Sequence, residues 1–78
     1  MNTLPSARVK LESRSLAAAA YDQRRQMLQL DFRDGTRYLY SGIAPKLYRE
    51  FLCASSQGSF FNRYIRTDFP YVKIASKN

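Results

Sequence analysis

Apolar and polar residues alternate most cleanly over Leu28-Gln29-Leu30-Asp31-Phe32, the period of a strand with one buried face. Arg33-Asp34-Gly35 follows, and then Thr36-Arg37-Tyr38-Leu39-Tyr40, so the two runs read as the arms of a hairpin. Two loops are compatible with this spacing. A two-residue Asp34-Gly35 turn pairs Asp31 with Tyr38 and Gln29 with Tyr40, and stands both tyrosines on the polar face as an exposed aromatic platform. A three-residue loop closed by Gly35 in the left-handed region pairs Leu30 with Tyr38 and Leu28 with Tyr40 instead. The second register is favoured. It gathers one apolar face and sets Asp31 opposite Arg37, opposite charges across a strand pair.

Upstream, Val9 to Leu16 alternates weakly, in the manner of an edge strand. The run Ala17–Ala20 has helical propensity, yet it leads into Tyr21-Asp22-Gln23-Arg24-Arg25, which reads as a strand end and turn. Downstream the period changes. Pro45 suits a first helical turn, and Leu47, Tyr48, Phe51, Leu52 and Ser55 recur at helical spacing, with Lys46, Arg49 and Glu50 on the other side. A second short helix, capped near Ser59, carries Phe60, Phe61, Tyr64 and Ile65 inward and Arg63 and Arg66 outward, until Pro70 stops it. Tyr71-Val72-Lys73-Ile74 alternates enough for a last short strand. The expected fold is α+β. A three-stranded antiparallel meander (about 13–21, 26–32 and 36–41) precedes two short helices (about 44–55 and 58–66) packed on one sheet face. The other face, showing Met27, Gln29, Asp31, Arg37 and Leu39, is expected to lie open. Residues 1–12 form a flexible or edge-strand leader, 13–74 a single domain and 75–78 a loose tail.

At 78 residues the chain has room for one domain and no deep cleft between lobes. The 45% apolar and 14% aromatic content argues for a folded globule. No apolar stretch is long enough to span a membrane, and the N-terminus lacks a signal-peptide core, so a cytoplasmic setting is expected. Cys53 is the only cysteine and there is no histidine. That leaves no thiol pair, no His–thiolate metal set and no imidazole base for a nucleophile, so no enzyme activity, metal or cofactor is expected. Cys53 itself, in Phe51-Leu52-Cys53-Ala54, reads as a small buried helix residue. The three glycines lie too far apart for a phosphate loop.

The net charge is +7, and most of it belongs to the folded part: residues 13–66 hold nine basic residues against four acids, a surplus of +5. Most of these bases are arginines, which pair with phosphate two ways and stack on bases. Such a surplus either attracts a polyanion or merely solvates a surface.

The order Ser13, Tyr21-Asp22, Leu28-x-Leu30-x-Phe32, Gly35, Tyr38-x-Tyr40, Ala54-x-Ser56-x-Gly58-x-Phe60-Phe61-Asn62, Ile65 resembles the KTSC domain. That segment lies at the C-terminus of some lysyl-tRNA synthetases and also occurs alone in short bacterial and phage proteins. The likeness runs from about Ser13 to Tyr71. Tyr38 and Tyr40 match its central motif; Ser56, Gly58, Phe61 and Asn62 match the second. The resemblance implies that Ala17–Ala20 is strand, against bare propensity, and it implies an RNA-binding role through the synthetase attachment.

Each motif residue also has a plain structural reading. Gly58 suits a positive φ between helices. Ser56 and Asn62 can cap helix ends, or they form a polar cluster beside Tyr40 that holds a phosphate or base edge. The expected function is a small non-catalytic basic module that binds nucleic acid, RNA foremost. Arg25, Arg37, Arg49, Arg63 and Arg66 would neutralise phosphates, with Tyr40 or a spare Phe stacking on a base. The alternative is a protein-interaction or accessory domain, phage-derived, that uses the open sheet face or an edge strand.

Overall fold

The hairpin closes through the three-residue loop. The Phe32 N–H donates to the Thr36 carbonyl at 2.9 Å and the Gly35 N–H to the Phe32 carbonyl at 3.1 Å. Gly35 takes φ 95°, a conformation that suits glycine. Leu28 therefore pairs with Tyr40, Leu30 with Tyr38 and Asp31 with Arg37, and the register that would expose both tyrosines is excluded.

The computed structural model describes residues 8–76. Residues 1–7 of the leader expected over 1–12, and residues 77–78 of the tail expected over 75–78, lie outside the described residues; within the described part, Val9–Lys10 and Ala75 are strand. The sheet has five strands: β1 (Val9–Lys10), β2 (Leu16–Asp22), β3 (Met27–Phe32), β4 (Arg37–Ser41) and β5 (Tyr71–Ala75). They lie in chain order and every neighbouring pair is antiparallel. The three-stranded expectation thus understates the sheet. β1 is two residues long, and β5 reaches β4 only after the whole helical segment, so neither has a local pairing signal. The alanine run is strand, because its backbone groups pair on both sides with β1 and β3. Tertiary pairing overrides helix propensity here.

Between β4 and β5 run α1 (Pro45–Cys53), α2 (Gln57–Phe60) and a π-helical turn (Phe61–Ile65). α1 presents Phe51 to the core, with Leu47, Tyr48 and Leu52 packed partly against it. Tyr48 stacks on Tyr21 of β2 at 4.3 Å, and the Tyr21 hydroxyl donates to the Ile43 carbonyl at 2.5 Å. The core is Leu11, Leu16, Ala19, Leu28, Leu30, Tyr40, Ile43, Phe51, Phe61 and Ile65, on the helix-covered face. The loop before β2 is tied down by Arg33, whose Nε donates to the Ser13 carbonyl at 2.6 Å and Nη2 to the Leu11 carbonyl at 2.9 Å.

Three local expectations are corrected. The second helix is capped by Ser56, whose Oγ accepts from the Ser59 N–H, and not by Ser59. Gly58 sits in α2 without a positive φ; an added Cβ there would lie 3.2 Å from Ser15 Oγ and 3.4 Å from Ser13 Oγ, so close approach is what favours glycine. Cys53 is exposed at the end of α1, because that helix stops two residues early and its last residue turns outward.

The sheet face away from the helices is less open than expected. Gln29 and Asp31 are only 1% and 7% exposed, and Met27, Arg37 and Leu39 are half-buried. Arg8, just before β1, reaches the Asp31 carboxylate. Arg37 holds the same carboxylate from the other side, Nε to Oδ1 at 2.7 Å. By register, Ala18 and Ala20 lie on this face between β1 and β3. Their methyl groups leave room for the Arg8 side chain to cross β2, which a run of branched residues would block.

Candidate ligand-binding cleft

Alternation along β4 turns Tyr38 and Tyr40 to the helix side, and the antiparallel β5 sets Lys73 opposite Tyr38 and Tyr71 opposite Tyr40. The π turn faces them with Phe61. In a regular helix Arg66, five residues on from Phe61, would be rotated by about 140°. Here the Arg66 N–H donates to the Phe61 carbonyl at 2.9 Å, an i→i+5 bond that widens the turn and brings Arg66 back to the Phe61 side. The result is a cleft of about 770 Å³, walled by Phe32, Tyr38, Tyr40, Phe61, Phe69 and Tyr71, with Asn62, Arg66, Thr67 and Lys73 among its polar groups. Ser15, Asp34 and Thr36 complete it at the hairpin end.

The rings support one another edge to face. Tyr38 meets Tyr71 at 5.4 Å and 86°, Tyr40 meets Phe61 at 5.5 Å and 82°, and Phe32 meets Phe61 at 5.6 Å and 72°. Tyr40 forms the floor, buried to 3% exposure, whereas Tyr71 at the rim is 54% exposed. Burial pushes the Tyr40 hydroxyl pKa up to about 12, helped by the neighbouring Tyr71 and Tyr38 and opposed by Arg66. Tyr40 therefore remains a neutral phenol at ordinary pH. Burial likewise raises Tyr21 and Tyr48, away from the cleft.

Of the residues singled out by sequence, Tyr38, Tyr40, Phe61, Asn62 and Arg66 meet in this cleft. Ser56 and Gly58 line a smaller hollow beside it, which shares Ser15 and Asn62 with the cleft. The other arginines do not converge. Arg37 is held on the far sheet face by Asp31. Arg25 lies within the β2–β3 turn near Asp22, whose Oδ1 accepts the Arg24 and Arg25 N–H groups. Arg49 is exposed on α1. Arg63 lies over the exposed Tyr64 ring at 5.7 Å. Sequence reasoning missed Tyr71 and Lys73 as site residues. Their alternation was visible, but nothing local says that a strand 30 residues downstream returns to β4.

The arrangement offers a partly exposed ring for stacking, two cations for an anionic group and an amide for a polar edge. Among the described residues there is no group of three or more acidic, thiol or imidazole side chains that would hold a metal. No described helix is long and apolar enough to cross a membrane.

The family model for the KTSC domain matches residues 12–69. A protein of Tsukamurella paurometabola is 36% identical over 64 residues, covering 82% of this chain and 96% of its own. An uncharacterised protein of Stutzerimonas stutzeri is 36% identical over 59 residues, 76% of this chain and 83% of its own. A lysine–tRNA ligase of Nostoc punctiforme is 27% identical over 67 residues, 86% of this chain but 12% of the ligase. The crystal structure of a KTSC domain protein from Yersinia pestis superposes with a TM-score of 0.83 at 32% identity, covering 87% of this chain and 96% of that one. With the family model matching residues 12–69 and two relatives 36% identical over most of their own length, the chain belongs to the KTSC domain family.

Proposed function

We propose that the protein is a non-catalytic module that binds single-stranded RNA in the aromatic cleft. The observation that carries this reading is the exposed Tyr71 ring, braced edge-on by Tyr38, with Arg66 and Lys73 lining the same cavity. An unpaired base stacks on such a ring without regard to its identity, at about 1–3 kcal/mol per base. The two cations take the adjoining phosphates, and Asn62 meets a base edge. A duplex cannot present its stacked faces to a cleft of this kind, so single strands, loops and ends are the substrates. The relative named a lysine–tRNA ligase, in which a segment like this one is a small part, supports an RNA ligand. An RNA ligand also fits a cytoplasmic setting.

Fluorescence anisotropy with a mixed-sequence RNA hexamer tests the reading. Binding is expected at low salt and is expected to weaken as salt rises. Tyr71→Ala should lower affinity tenfold or more, and Arg66→Ala should flatten the salt dependence by about 0.7 in log–log slope. No salt-sensitive binding, or binding indifferent to both substitutions, would refute it.

A protein partner added as a further strand along β5 is the second reading, favoured by Val72, 56% exposed at the edge of the sheet. Co-purification of a protein after nuclease treatment, lost in Val72→Lys, would move the function there.

A further inference from the structure

The smaller hollow adjoins the cleft along Asn62 and Ser15, which line both, and has a volume of about 370 Å³. Its chemistry is different. Among the described residues no ring lines it; hydroxyl and amide groups such as Ser55 and Gln57 do, with one cation, Arg14, and one acid, Glu12. Arg14 and Glu12 are both exposed. Gly58, in its lining, leaves the space before the Ser15 hydroxyl free, where an added Cβ would lie at 3.2 Å.

Building on the RNA reading above, we propose that a strand seated in the aromatic cleft continues over Asn62 and Ser15 into this hollow. There it lays down the sugar–phosphate of its next nucleotides, so the full ligand is a short ribo-oligonucleotide and not DNA. Bases need rings, and the cleft has them. A ribose–phosphate needs donors, acceptors and one cation, and the hollow has those instead. Arg14 takes the phosphate. Glu12 repels a phosphate but accepts a hydrogen bond from a ribose 2′-hydroxyl, the group that distinguishes RNA from DNA. The lengths agree. Along the second hairpin arm the cleft's lining runs from Tyr40 to Thr36, just before β4, four residue steps or about 13 Å. A dinucleotide stays within that length, whereas the five steps of a hexamer span at least about 17 Å even when stacked.

The test is a binding series with the full chain, using a ribodinucleotide, a mixed-sequence ribohexamer and the matching deoxyhexamer. The wild type should bind the ribohexamer at least tenfold more tightly than the dinucleotide, and about tenfold more tightly than the deoxyhexamer, the worth of one charged hydrogen bond. Arg14→Ala should weaken the hexamer severalfold and leave the dinucleotide unchanged. Glu12→Gln should narrow the preference for ribose. Equal binding of ribo- and deoxyhexamer, or an Arg14→Ala effect identical for both lengths, would overturn the extension. If Tyr71→Ala still abolished that binding, the cleft reading would stand alone. If no oligonucleotide bound in a salt-sensitive way, both would fall.

Discussion

Tyr40 shows what one residue contributes at the floor of the cleft. Its folded pKa is raised to about 12, with burial as the main cause, whereas an unfolded tyrosine titrates near 10. Between those values the unfolded chain gives up a proton that the folded chain keeps. Unfolding then binds fewer protons, so stability is full below about pH 10 and falls as pH rises toward 12. Urea midpoints at pH 9, 10 and 11 should fall in that order. Tyr40→Phe should shrink the fall without abolishing it, because Tyr21 and Tyr48 are shifted the same way. Gly58 was misread from sequence for an instructive reason. A glycine can serve a positive φ or a close approach, and the string of letters does not say which. Since its backbone is helical, Gly58→Ala gains about 1 kcal/mol of helix propensity and loses a similar amount in displacing the Ser15 hydroxyl. A thermal midpoint within a few degrees of wild type is expected. A drop of 10 °C or more would mean that the Ser13 and Ser15 hydroxyls cannot give way.

At the scale of elements, legibility followed sequence distance. The β3–β4 hairpin was readable down to its register, because both partners lie within a few residues of Gly35 and the Asp31–Arg37 pair confirms the alignment. Gly35 is accordingly a position where the backbone itself resists a side chain. Gly35→Ala forces an L-residue to φ 95° and should cost about 1–2 kcal/mol, a thermal midpoint lower by roughly 4–8 °C per kcal/mol. An unchanged melt would mean that the loop has an alternative closure. β1 and β5 were legible as short strands but not in their pairing: β1 is two residues long and β5 meets β4 only across the helical segment. The π turn was hidden too. A five-residue hydrogen-bond ring has no letter code, and a regular helix sends Arg66 outward. The actual turn instead adds a cation to the cleft.

For the whole molecule, the surplus of +7 is misleading as a map. Arg33 is spent on backbone carbonyls, Arg8 and Arg37 share Asp31, and Arg63 covers a tyrosine away from the cleft. Among the described residues only the cations Arg66 and Lys73 line the cleft, with Arg14 in the adjoining hollow. Salt titration distinguishes a dispersed charge from a focused one. For single strands each phosphate neutralised contributes about −0.7 to the slope of log affinity against log salt. A ligand confined to the cleft should therefore give about −1.4, and one long enough to reach Arg14 about −2. The five arginines named from sequence, acting together on one strand, would give about −3.5. Their positions on opposite sheet faces and on α1 forbid that unless the strand wraps the domain. A measured slope near −3.5 would thus locate RNA on the outer surface and demote the cleft. A slope between −1.4 and −2 that drops by a single step on Arg66→Ala places the strand where the tyrosines are.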